Sequence, residues 1–146
     1  MVGLDTNILI RHIVQDDAAQ VRKVRGLFKQ LSKHNPGYVS LVALAETVWV
    51  LRSAYHVPVS RIADILETIL STEELLVEQE AVAELALARY RQGTADFADY
   101  LIAALNHDHG CKETVTFDRV AVFDYEGEPK EFVSDIYYDG NRSEER

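Results

Sequence analysis

Short apolar runs of strand character alternate along this chain with one or two helix-length segments, and that alternation limits the fold more than any other feature of the sequence. Val2–Leu4 reads as a first strand, with a helix starting near Asn7. Over residues 17–33, Val21, Val24, Phe28 and Leu31 recur at helical spacing, and His34–Gly37 (HNPG) stops that helix. Tyr38 and Val39 form a brief second strand, and Ser40 precedes a strong helix over 41–56. Pro58 and Ser60 open another helix, with Ile62, Ile65, Leu66 and Ile69 on one face. Leu75–Val77 is a third strand. Residues 81–91 are helical and closed by Gly93, and 96–109 form a further helix stopped by Gly110. Thr114–Phe117 (TVTF) is β-branched and aromatic, and Glu131–Val133 gives a last short strand. Strands separated by helices need crossover connections, which implies a mainly parallel sheet covered on both faces: an α/β fold of three layers. Residues 1–136 read as a single domain, and 137–146 as a loose tail.

A chain of 146 residues is one domain long and can bury about two thirds of its unfolded surface. No apolar run approaches the roughly 20 residues that cross a bilayer, and no basic segment followed by an apolar one opens the chain as a signal peptide does. Cys111 is the single cysteine, so neither an intrachain disulfide nor a cysteine cluster for zinc is available. These features lead to the expectation of a cytoplasmic protein without membrane partners.

The net charge of −9 opposes a protein that holds nucleic acid through its overall field, but the charge is uneven. From Arg11 to Lys33 six basic residues face only Asp16 and Asp17, whereas from Asp124 to the end eight acids face three bases. The basic stretch is either a solvated helix face or a local track for a polyanion or an acidic partner segment.

The acids sit where a parallel sheet places chemistry. Ligands of open parallel sheets bind at the carboxyl ends of strands. Asp5 follows the first strand directly, inside Gly3–Leu9 (GLDTNIL), and Asp118 follows Thr114–Phe117 in the same manner. Either acid alone suits a turn or a helix cap. Asp5 also stands where the chain enters the core, and an unpaired buried carboxylate costs several kcal/mol, so something should compensate it. Glu46 is the sole ionisable residue between Leu41 and Leu51, in a helix apolar around nearly its full circumference, which suggests partial burial. Asp96 and Asp99 lie three apart and share a helix face; Asp96 suits an N-cap and Asp99 the acid of a capping box. A carboxylate in a first helical turn also meets the positive end of the helix dipole, which keeps it ionised. Carboxylates that converge without a cationic side chain repel one another unless a hard divalent cation, Mg²⁺ or Mn²⁺, joins them. No GxSxG sequence and no glycine-rich phosphate loop is present, and His107 and His109 face different sides of a helix.

These residues resemble the PIN domains, and within them the VapC-type toxin ribonucleases of bacterial toxin–antitoxin pairs. Leu4–Leu9 (LDTNIL), Glu46, Asp96–Leu105 (DFADYLIAAL) and Thr114–Arg119 (TVTFDR) occur in that family's order and spacing, so the likeness spans roughly residues 2–133. The resemblance implies that Asp5, Glu46, Asp99 and Asp118 are the metal-binding, catalytic acids. It makes Asn7 and Thr116 polar residues that orient them, and leaves Asp96 as a second acid that could replace Asp99. It further implies a parallel sheet sandwiched by helices and hydrolysis of RNA with Mg²⁺ or Mn²⁺ to leave a 5′-phosphate. A homodimer and a cognate antitoxin are the implied protein partners. Two other readings compete. One is a non-catalytic PIN-fold protein-binding module. The other is a receiver-like Mg²⁺-binding signalling domain, which lacks here both an aspartate after the third strand, where Glu78 stands, and a lysine after Thr114–Phe117.

Overall fold

Three short strands carry the sheet. In the computed structural model, which describes residues 1–116, β1 (Val2–Gly3), β2 (Gly37–Val39) and β3 (Leu75–Val77) lie in the order β1-β2-β3, all parallel. Val2 stands opposite Gly37 and Gly3 opposite Tyr38; Gly37, Tyr38 and Val39 then face Leu75, Leu76 and Val77. The first pairing continues past β1, because the Leu4 N–H donates to the Tyr38 carbonyl at 2.9 Å. Parallel neighbours cannot be joined by a hairpin, and helices make the crossovers. α1 (Thr6–Ile13) and α2 (Ala18–Gln30) connect β1 to β2, and α3 (Leu41–Ser53) and α4 (Val59–Ser71) connect β2 to β3. α5 (Glu80–Gln92) and α6 (Phe97–Asp108) follow β3. The α/β class expected from the alternation is the one observed.

Local chemistry accounts for most boundaries. Asp17 starts α2 by accepting from Gln20 N–H at 3.0 Å, and Ser40 starts α3 by accepting from Ala43 N–H at 3.1 Å. α2 ends at Gln30, three residues before the expected limit, because Leu31 turns extended and Ser32 and Asn35 bond each other's backbone at 3.1 Å. α3 likewise ends at Ser53 rather than at 56: His56 adopts φ 54°, and Pro58 disfavours a helical residue before it. The strand expected over 114–117 does not form in residues 114–116. Past Gly110, at φ 89°, the Cys111 N–H returns to the Asn106 carbonyl at 3.0 Å, and Thr114 Oγ1 accepts from Asn106 Nδ2 at 3.1 Å. These two bonds tie Cys111 and Thr114 to the end of α6. Phe117, Asp118, the strand expected over 131–133 and the domain limit at 136 lie outside the described residues.

One apolar cluster holds these elements together, with Leu9, Val39, Leu44, Leu51, Ile62, Leu66 and Phe97 fully enclosed. Burying each such side chain is worth about 1.5–3 kcal/mol relative to leaving it in water. Helix packing has a consequence for function. α3 packs on α1 through one part of its surface and on α6 and α4 through others, while α5 packs on α6 and α4.

Candidate active site

One of the candidate acids stands directly at a strand end. Asp5 stands just past β1 and is the N-cap of α1, its Oδ1 accepting from Thr6 N–H at 2.8 Å. The residues on either side, Leu4 and Thr6, are buried, but Asp5 itself is exposed. This corrects the expectation of a carboxylate carried into the core. A cap side chain folds back over the open end of its helix, and at the carboxyl edge of a sheet that end meets water. Asn7, one turn-start further, is exposed as well.

Glu46 is also exposed, against the expectation of partial burial. α3 buries Leu41, Ala43, Leu44, Thr47, Val48 and Leu51, so its core-facing arc is wide. The remaining stripe runs through Val42, Glu46 and Trp49 at spacings of four and three, and Val42 and Trp49 are 75% and 67% exposed. Apolar composition all round the helix therefore did not mean burial all round.

Asp96 and Asp99 form the capping box that their spacing foretold. Asp96 is the exposed N-cap of α6, and Asp99 Oδ2 accepts from the Asp96 N–H at 3.2 Å, with Asp99 half-buried. The loop delivering Asp96 is set by a close approach. Gly93 ends α5 where a Cβ would collide with the Tyr100 hydroxyl, and that hydroxyl accepts from Ala95 N–H at 3.2 Å. Tyr90 packs edge-on against Phe97 and Tyr100, at 5.7 and 6.3 Å between ring centres, which fixes α5 against the start of α6.

α3 thus touches both helices whose first residues are candidate acids: α1, capped by Asp5, and α6, which opens with Asp96 and Asp99. Among the described residues, no Lys, Arg or His side chain pairs with Asp5 or Glu46. Arg11 pairs with Asp16, and Arg91 pairs with Asp64 at 3.1 Å and with Glu67 at 2.7 Å. Among the same residues, no three His, Cys, Asp or Glu side chains are placed to hold a metal ion together. Asp118 lies outside them, and Thr116 is half-buried in the segment beyond α6.

One acid at this edge escaped the sequence reading as a working residue. Glu78 follows β3, and its Oε1 accepts from the Leu41 N–H, the first of α3, at 2.9 Å. Its position just after a strand was the available signal. Desolvation and then the Glu78 carboxylate push the Tyr38 phenol above its usual range.

A cavity of about 630 Å³ lies at the other end of α1, lined by His12, Ile13, Val14, Arg61, Ile65 and Leu75 among others. None of the candidate acids lines it. His12 stacks face to face on Phe28, with 3.9 Å between ring centres and an interplanar angle of 3°, and the lost hydration pushes its pKa down. The basic side chains Arg22, Lys23, Arg25 and Lys29 form an exposed face of α2 while Val21 and Val24 turn inward. Among the described residues, no helix is long and apolar enough to cross a membrane.

The model of the PIN domain family matches residues 2–124. Searches of curated proteins and of solved structures gave no match.

Proposed function

This chain belongs to the PIN domain family, whose members are in general nucleases, and from that premise we propose that it is a divalent-metal-dependent ribonuclease, the VapC-type toxin of a toxin–antitoxin pair. The observation that carries the reading is the packing of α3, with its exposed Glu46, on α1 and α6, the helices opened by Asp5 and by Asp96 and Asp99. Asp5 and Glu46 present carboxylates to solvent with no cationic side chain on them among the described residues.

That donor set suits Mg²⁺ or Mn²⁺, which prefer carboxylate oxygens. Asp5 and Asp99 would be its main ligands, Glu46 and Asp118 would support a second ion or order water, and Asn7 and Thr116 would orient the carboxylates. A bound divalent cation lowers the pKa of water and polarises the phosphoryl oxygens of an RNA phosphodiester. The chain's own part, among the described residues, is to present Asp5 and Glu46 to solvent and to hold Asp99 at the start of α6. Asp99 lies in the first turn of α6, at the positive end of that helix. The cation also offsets the net charge of −9 where a polyanion must approach.

A homodimer and a cognate antitoxin complete the proposal. Exposed Val42 and Trp49 on α3 and Ile102 on α6 supply apolar surface suited to protein contacts. An arginine from the antitoxin could replace the cation in neutralising the acids through charge-assisted hydrogen bonds. The open spacing of the described acids favours one alternative, a PIN-fold module that binds proteins without catalysis. Incubating the purified protein with structured and single-stranded RNA, with Mn²⁺ or with EDTA, decides between them. Mn²⁺-dependent fragments bearing 5′-phosphates are expected. RNA left intact under every metal condition, by a folded protein freed of any copurifying partner, would overturn the nuclease.

A further inference from the structure

α3 carries Glu46, and something must hold the start of that helix against the sheet. The first four N–H groups of a helix have no partner within it. Ser40 serves one of them, through its bond to Ala43 N–H, but Ser40 is continuous with the helix and moves with it. No acid occupies the first turn of α3. The negative charge at this positive helix end comes instead from Glu78, 37 residues away, whose Oε1 accepts from Leu41 N–H at 2.9 Å.

Glu78 is itself fixed. It directly follows β3, its N–H donates to the Val39 carbonyl at 2.9 Å, and its carboxylate bears on the Tyr38 hydroxyl. The next residue, Gln79, is held at φ 44°, a left-handed backbone that L residues rarely adopt and that persists only where the surroundings over-determine it. Glu78 therefore joins the end of β3, the end of β2 and the beginning of α3. Glu46 lies five residues past Leu41, roughly 7 Å along the helix axis, so a displaced helix start carries its carboxylate along.

We propose that Glu78 is a positioning residue for the candidate catalytic acid Glu46, acting by anchoring the first turn of α3 to the ends of β2 and β3. The proposal rests on the nuclease reading for its effect on activity, and on geometry alone for the anchor. Glu78→Gln keeps an oxygen acceptor for Leu41 N–H; Glu78→Ala removes it. In Glu78→Ala, at a temperature where circular dichroism shows the fold intact, kcat for RNA cleavage falls by a factor of about 10 or more with KM little changed, because small misplacements of a reacting group are costly. The Mn²⁺ concentration for half-maximal cleavage rises, and Glu78→Gln restores most of the kcat.

Amide hydrogen exchange gives a readout independent of activity. The Leu41 amide exchanges faster by a factor of about 10 or more in Glu78→Ala, whereas the amides of α2 keep their wild-type rates. A folded Glu78→Ala variant with wild-type kcat, or with unaltered exchange at Leu41, overturns the proposal. Equal damage by Glu78→Gln and Glu78→Ala overturns it too, since the charge rather than the anchor would then matter. A wild-type protein that cuts no RNA, with Leu41 still released by Glu78→Ala, refutes the nuclease reading and leaves the anchor standing.

Discussion

Asp99 accepts a hydrogen bond from the backbone N–H of Asp96 at 3.2 Å, so the two acids at the start of α6 hold each other in place. They nevertheless separate by mutation. Asp96→Ala removes the N-cap and should lower stability by about 1 kcal/mol, with cleavage reduced less. Asp99→Asn keeps an oxygen for the Asp96 N–H while removing the charge. The fold should survive it and RNA cleavage should drop by a factor of roughly 100 or more, as expected when a metal ligand is lost. Melting curves and cleavage rates at saturating Mn²⁺ for the two variants provide the comparison. An indispensable Asp96 beside a dispensable Asp99 would reverse the assignment of the third acid.

Under the proposed function, Asp5 would couple folding and chemistry through one side chain. Because its Oδ1 caps α1, Asp5→Ala should cost about 0.5–2 kcal/mol, whereas Asp5→Asn, an equally good cap, should cost little. Both should abolish metal-dependent cleavage. The check is a urea melt of each variant alongside its activity. Retained activity in Asp5→Asn removes this residue from the site.

Metal binding should be visible without any substrate. A ligand that binds only the folded state stabilises it by mass action, about 1.4 kcal/mol at ten times its Kd, which for a chain of this length is roughly 3–6 °C in Tm. Calorimetry with and without millimolar Mn²⁺ should show a rise of that order in the wild type and none in Glu46→Gln combined with Asp5→Asn. A wild-type Tm indifferent to Mn²⁺ would count against the cation.

His12 gives the fold a dependence on mild acid. Lost hydration at the ring stacked on Phe28 pushes its pKa below that of the unfolded chain, about 6.5. Below that value the unfolded state binds more protons than the folded one, so this contribution is intact above about pH 6.5 and declines as pH falls through it. His12→Phe keeps a stacked ring and removes the titration. Its Tm should fall less steeply than that of the wild type between pH 7 and 5; parallel slopes would show that His12 does not contribute.

The nearest-neighbour features of this protein were legible in its sequence. The run Leu75–Val77 is β3 to the residue, Ser40 starts α3, and the three-residue spacing of Asp96 and Asp99 makes a capping box, because each depends on groups within one turn of chain. The order of short strands and paired helices likewise sufficed for a parallel α/β fold, since parallel strands require crossovers. Exposure was decided elsewhere. Asp5 read as entering the core and Glu46 as partly buried, yet both are exposed, Asp5 because it folds over a helix end and Glu46 because α1, α4 and α6 cover only part of α3. Residues 114–116 are strand-forming by composition yet do not take strand form, and Thr114 accepts from Asn106 at the end of α6, since β preference depends on tertiary context. The bond from Glu78 to Leu41 spans 37 residues, and no local pattern encodes it. Sequence set what each segment can form; the packing of α3 between its neighbours decided which of its faces, and which carboxylates, meet solvent.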